Sequence, residues 1–415
     1  MPWQPEPQPE WVRAVNDGSI YPIARTAELP FEPRRLLGEA RARLGRPDGG
    51  VADFGADDFV EPFRVVLRAL EDEADLSLFG RWFARGFVTR LLEVRLQLTD
   101  LLAADPGVRD ERIAAPIVVT GAPRTGTTLL YGLLAGDPRH RVPEGWELLR
   151  PVPPPDPAAF ATDPRIPLAD VELQLPQVVA SGLGAIHEYG GRMPKECLSA
   201  MSFAFRSEEF VSRYHVPSYV DWLQCCDMRP AYEMHRLVLQ VLQRRFTDVQ
   251  WVLKSPVHLH SLPVLLDVYP DARVVITHRD PLTVLASVTS LLATLRSAQS
   301  DRVDVEELGR YHVDLYGRSL DRLVSLDEGG LLPPERVRHV AYADLVADAG
   351  AVTRDLYAHF GLPGVAPEPL PSDGGAHRRP EHHYSFADLG LDPIATRRRF
   401  ARYQAHFGVP DEELG

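Results

Sequence analysis

The chain has 415 residues, 45% hydrophobic and 25% charged, enough to bury a large core as one α/β unit with a helical attachment or as two to three domains. A formal net charge of -13 excludes a general nucleic-acid binder, which needs a basic surface, so no nucleic-acid partner is expected. The cysteines are only Cys197, Cys225 and Cys226, and the last two are adjacent and poorly placed for a structural disulfide, which points to a reducing compartment.

The start, MPWQPEPQPEW, lacks the basic and apolar regions of a secretory signal, and no run of about 18 apolar residues occurs. A cytoplasmic protein without an integral membrane segment is expected. Residues 1 to about 30, rich in proline, read as an extended arm whose Trp3 and Trp11 pack on the body. From Glu32 to about Asp105 the pattern is helical. Phe63, Val66, Leu67 and Leu70 recur at i, i+3, i+4 and i+7 behind Asp58 and Glu61, which are spaced as a capping box, and Phe87, Leu91, Val94 and Leu98 mark another helix. Such stripes are normally buried. Residues 1–110 are therefore expected to form the arm and a helical extension, and 111–415 an α/β domain.

The stretch Ile117 to Leu134 is the most informative. Ile117-Val118-Val119-Thr120 favours a strand, Gly121-Ala122-Pro123-Arg124-Thr125-Gly126-Thr127-Thr128 a loop, and Leu129, Leu130, Leu133 and Leu134 recur at helical spacing. A strand, glycine-bracketed loop and helix aim backbone N–H groups and a helix dipole at one point, and so hold an anion, most often a phosphate. The glycines are spaced as in a nucleotide P-loop, but Thr127 stands where the NTPase lysine belongs, and Arg124 is the fixed cation. The loop suits an anionic ester end without calling for a metal.

Glu144 and Glu147 follow the first crossover helix, where a second strand is expected to carry them back alongside the loop strand. The cluster Pro151-Val152-Pro153-Pro154-Pro155, in a chain with 38 prolines, marks an extended segment. A helical insertion spans about 168–246, with a stripe of Met234, Leu237, Val238, Val241 and Leu242. Its aromatics, Tyr189, Phe203, Phe205, Phe210, Tyr214, Tyr219 and Trp222, are candidates for an apolar acceptor pocket, with core packing the commoner use. Two further strands end in cations: Trp251-Val252-Leu253-Lys254 and Arg273 to His278 followed by Arg279. Another, Val337 to Val340, closes on Tyr342 and Asp344. Open α/β sheets bind ligands at the carboxyl edge where these residues fall. His258-Leu259-His260 and His382-His383 lack tetrahedral zinc spacing, and no metal is expected.

Taken together, GAPRTGTTLL at 121–130, WE at 146–147, LKSPVH at 253–258 and ITHRDPLTVLAS at 276–287 resemble the PAPS-dependent sulfotransferases, of the broad bacterial family related to the tyrosylprotein sulfotransferases. The resemblance covers most of the chain. It implies an α/β fold with a central parallel sheet of P-loop-like topology, helices on both faces and a helical N-terminal extension. It also implies transfer of a sulfuryl group from 3′-phosphoadenosine 5′-phosphosulfate (PAPS) to a hydroxyl, or an amine, of a small and apolar acceptor. In the family the positions of Arg279 and Ser287 hold the cofactor 3′-phosphate, while the loop residues Gly121, Ala122, Pro123, Arg124, Thr125, Gly126, Thr127 and Thr128 take the phosphosulfate end. Tyr342, His383 and Tyr384 are added as cofactor contacts, the last two in a run resembling the family's nucleotide-closing loop.

Lys254 matches the lysine that contacts the bridging oxygen and stabilises the leaving PAP, and Arg124 faces the sulfuryl and phosphate oxygens. The general base is assigned to Glu147, then Glu144, then His258, with a structural ion pair as the alternative for Glu147. Lys195-Glu196 departs from an acidic pair expected in relatives. Rival readings are a P-loop kinase or NTPase, disfavoured by Thr127, and a catalytically silent nucleotide-binding protein. The oligomeric state is not legible.

Overall fold

Short runs of β-branched and aliphatic residues form a five-stranded parallel sheet in the order β2-β3-β1-β4-β5: β1 (Ile117–Gly121), β2 (His140–Arg141), β3 (Gln250–Lys254), β4 (Arg273–His278) and β5 (Val337–Ala341). The computed structural model describes residues 3–5, 7–186, 189–364 and 386–414. Both faces of the sheet are covered, as an all-parallel sheet requires. Val118, Leu253, Val274 and Ile276 face one core, while Ile117, Val119, Val252, Val275 and Val340 face the other. The expected fold is the one found.

Register sets the site. Val119 lies opposite Lys254 and Gly121 opposite Thr277, so β1, β3 and β4 end side by side. The chain runs from β1 outward to β2 and β3 and then crosses to β4 on the other flank, which opens a crevice at the carboxyl edge of β1.

The N-terminal thirty residues differ from the expected arm. They contain helices α1 (Glu10–Asn16) and α2 (Tyr21–Ala27), with Val12, Val15, Ala24 and Ala27 buried. Their prolines sit where a helix begins: Pro9 is the N-cap of α1 and Pro22 lies in the first turn of α2, positions at which proline costs no hydrogen bond. Trp11 packs edge-on against Phe79, with ring centroids 5.5 Å apart.

The expected capping box also does not form. Asp58 lies in a 3-10 turn, and α3 (Val60–Asp72) starts from Phe59 without a side-chain cap. Helix α4 (Leu78–Ala104) is capped by Ser77 and buries Phe87, Leu91, Val94 and Leu98 in a core that runs on to Leu253, Ile276 and Tyr403.

β2 is only two residues long and pairs with β3 at the sheet edge, so it does not run beside the loop strand. The chain between β1 and β2 forms α5 (Thr127–Ala135). Beyond β2 come α6 (Gly145–Leu149) and α7 (Arg165–Val179). After the remaining insertion helices, including α8 (Arg229–Gln243), the sheet is completed around α9 (Pro281–Ser297), α10 (Val305–Glu328) and α11 (Tyr342–Ala347). The described chain closes with α12 (Pro393–Phe407).

Candidate active site

β1 passes into α5 through a turn that only glycine satisfies at both ends. Gly121 has φ +142°, and a Cβ there would lie 2.4 Å from the Thr277 hydroxyl oxygen. Gly126 has φ +89°, and a Cβ would meet Leu345 at 2.8 Å and the Tyr342 ring at 3.0 Å. Thr125 is buried and braces the turn from inside, its hydroxyl 2.7 Å from the Ala122 carbonyl and 2.5 Å from the Thr277 hydroxyl. That hydroxyl serves the loop's shape. Thr127 is buried as well, Ala122 is buried and Pro123 half-buried, whereas Arg124 and Thr128 are exposed on the loop. Gly126 supplies no capping side chain to α5, so the helix N-terminus presents backbone donors.

Arg279 follows β4 immediately and reaches this loop, donating from Nη1 to the Arg124 carbonyl at 3.0 Å. Its guanidinium lies 4.0 Å from the centroid of Tyr342, the first residue of α11, and binds Glu412 of the C-terminal tail. Its neighbours are fixed in turn. His278 meets the Tyr403 hydroxyl at 2.9 Å and His339 at 2.8 Å, and burial holds its ring well below the usual imidazole range. Asp280 caps α9 by accepting from the Leu282 amide. Ser287 is buried in the second turn of that helix. His383 and Tyr384 lie outside the described residues.

Lys254 closes β3 with its side chain 4% exposed and its Nζ 2.5 Å from Oε1 of Glu196. Both line a cavity of about 340 Å³ that starts at Pro123 and Thr128 of the loop. Leu173 and Pro176 of α7, Leu291, Leu292 and Leu295 of α9, and Tyr311, Leu315 and Tyr316 of α10 form its apolar walls. Of the aromatics singled out from sequence, Tyr189 lines it. Phe203, Phe205, Phe210, Tyr214 and Tyr219 are core residues.

Several carboxylates share this cavity with cations. Glu172 accepts from Arg90 and Arg150. Glu209 binds Arg213 at 2.7 Å and the Ser202 hydroxyl at 2.9 Å. Lys195 is 8% exposed, and burial pulls its ammonium down from the usual lysine range.

The three base candidates are placed elsewhere. Glu147 is fully buried at the third position of α6, where one oxygen binds Arg141 at 2.5 Å and the other accepts the Glu144 amide in a reciprocal capping box. Burial pushes its carboxyl up to about 7 against the opposing pull of Arg141. Glu144 accepts from the Trp146 indole and pairs with Arg192 at 3.4 Å. His258 is buried with Nδ1 on the Tyr232 hydroxyl, and burial holds its ring well below the usual range. None of the three lines the cavity. The Arg141 partner of Glu147 comes from β2, a pairing that WE adjacency, which records local spacing, does not show. Among the described residues no group of three or more His, Cys, Asp or Glu is placed to hold a metal.

A parallel sheet of this order, with a lysine and an arginine flanking a glycine-bracketed loop, is a P-loop-like α/β fold. The chain belongs to the sulfotransferase family, whose model matches residues 116–367, and it is an enzyme with sulfotransferase activity. The omega-hydroxy-beta-dihydromenaquinone-9 sulfotransferases Stf3 of Mycobacterium bovis and of Mycobacterium tuberculosis are each 30% identical over 304 residues, 69% of this chain and 69% of theirs. Sulfotransferase STF1 from Mycobacterium tuberculosis H37Rv superposes with a TM-score of 0.76 at 32% identity, covering 89% of this chain and 98% of that one. STF9 from Mycobacterium avium gives 0.77 at 26% identity, covering 92% and 98%.

Proposed function

We propose that the sulfuryl donor is PAPS and the acceptor a lipid-like alcohol. The observation that carries the donor reading is the hydrogen bond from Arg279 to the Arg124 carbonyl, which puts a guanidinium on the rim of the anion loop. PAPS has a phosphosulfate end and a separate 3′-phosphate. The loop and the α5 N-terminus suit the first, with Arg124 and Thr128 exposed beside it. Arg279, backed by Tyr342 and with Ser287 further along α9, suits the second and already holds a carboxylate.

Sulfuryl transfer needs the acceptor oxygen, sulfur and leaving oxygen in line, so positioning and charge stabilisation dominate. Lys254 faces the leaving phosphate oxygen in this reading. The acceptor reading rests on the leucine and tyrosine walls of the cavity and on the menaquinone derivative named for the Stf3 relatives. No described helix is long and apolar enough to cross a membrane, and the three free cysteines support a reducing, cytoplasmic setting.

The test is retention of the wild-type protein on immobilised PAP with elution by free PAP, followed by transfer of labelled sulfate from PAPS to a panel of prenyl and short alcohols. Retention and labelling of the longer, apolar alcohols are expected. Thermal stabilisation by ATP with magnesium but not by PAP would overturn the donor assignment, and preference for short polar alcohols would overturn the acceptor class.

A further inference from the structure

We infer that Glu196 is the general base that takes the acceptor's proton. The inference rests on the reading above that places Lys254 at the leaving oxygen. Four glutamates line the cavity. Glu172 and Glu209 are each bound to arginines, and Glu208 lies 3.1 Å from His260. Glu196 is instead paired with the lysine that ends β3 beside the loop strand.

Its backbone is tied on both sides. The Lys195 amide donates to the Pro143 carbonyl at 2.9 Å, and the Cys197 amide to the Lys254 carbonyl at 3.1 Å. The carboxylate therefore stands at a fixed place relative to β3. Oε1 is on Lys254, Oε2 is 3.4 Å from the Ser255 hydroxyl, and the side chain is 24% exposed. A rigid support of this kind is what a catalytic group requires.

An ammonium has three donors, so Lys254 can keep one on Glu196 and turn others to the leaving oxygen. The acceptor's O–H proton passes to the Glu196 carboxylate as the acceptor oxygen forms its bond to sulfur. The bond from sulfur to the bridging oxygen breaks, and its electron pair stays on the phosphate oxygen of PAP, opposite Lys254. Glu196 ends protonated and returns the proton to water after release.

The experiment compares wild type with Glu196→Gln and Glu196→Asp on two acceptors, farnesol, whose hydroxyl needs a base, and 4-nitrophenol, whose proton leaves readily. For Glu196→Gln, kcat on farnesol should fall by about 10² to 10⁴, with less than about tenfold loss on 4-nitrophenol. The acid limb of the wild-type kcat profile should disappear, Glu196→Asp should recover part of the rate, and PAP affinity should stay within about threefold, which also reports a folded protein. Unchanged kcat on farnesol would overturn the assignment. So would equal losses on both acceptors, which would make Glu196 a positioning residue for Lys254. The donor is judged on wild-type protein alone and Glu196 on variant-to-wild-type ratios, so the two readings fail separately.

Discussion

Arg279 grips Glu412 through two parallel hydrogen bonds, Nε to Oε1 and Nη2 to Oε2, each 2.8 Å long. The tail that delivers this carboxylate is itself anchored: the Glu412 amide donates to Asp280 at 2.7 Å, and Asp411 pairs with Arg397 at 3.0 Å. A carboxylate thus sits where the proposed 3′-phosphate needs the same fork of donors. On the proposed donor reading, the two anions compete for one guanidinium. Glu412→Gln should tighten PAP by up to about fivefold, the equivalent of the ~1 kcal/mol a partly exposed ion pair contributes. Arg279→Ala should weaken PAP about 10- to 100-fold, through loss of a charge-assisted, two-pronged contact worth ~1.5–3 kcal/mol. Calorimetric titration with PAP reads both, and weaker binding by Glu412→Gln would mean that the carboxylate organises the site and does not compete for it.

Lys254 is nearly buried and faces the cavity beside the loop, so its loss removes a positive charge placed before the reaction begins. Lys254→Ala should lower kcat at least about a hundredfold, as removal of one preorganised donor does elsewhere. Labelled sulfate transfer at saturating PAPS measures this. A fall in PAPS affinity alone, with kcat retained, would place the lysine in ground-state binding.

Glu147 should behave as part of the scaffold. Burial shifts Glu147 up and Arg141 down, so desolvation costs both partners of this ion pair. Such a pair adds little net stability, yet breaking it from one side strands the other charge. Glu147→Ala should cost about 3–5 kcal/mol of stability for that reason. Turnover per folded molecule, measured below the melting transition, should stay close to wild type. A catalytic defect in a protein that melts normally would instead support Glu147 as the base.

The sheet and loop were legible in the sequence because a strand buried on both faces is a short apolar run, and because close approach leaves glycine as the only option at 121 and 126. Lys254 and Arg279 followed from position, each at the carboxyl end of such a run. What stayed hidden depends on long-range pairing. Lys195-Glu196 stood out as a departure from pattern, but the bond from Glu196 to Lys254 joins residues 58 apart, and Glu412 meets Arg279 across 133. Tyr311, Tyr316 and the α9 leucines Leu291, Leu292 and Leu295 carry no sequence signal of their own, and only packing shows that they turn to a cavity. At the N-terminus the proline content reads as an extended arm, whereas Pro9 and Pro22 begin helices.

Glu209 gives the fold a defined acid sensitivity. Burial alone would raise its carboxyl, but Arg213 and then Lys195 outweigh that and hold it down at about 2, against 4.5 for an unperturbed glutamate. At a pH between these values the unfolded chain binds more protons than the folded one, so the stability gained from this group is fully present above about pH 4.5 and lost as pH falls toward 2. Glu209→Gln removes the titration but leaves Arg213 and Lys195 facing a neutral amide. Its melting temperature should be lower than wild type at pH 7, where an unpaired buried charge costs about 3–5 kcal/mol, and the gap should narrow as pH is lowered through 4. Melting curves of the two proteins from pH 7 to pH 3 test this, and parallel curves would show that the acid response arises in other carboxylates.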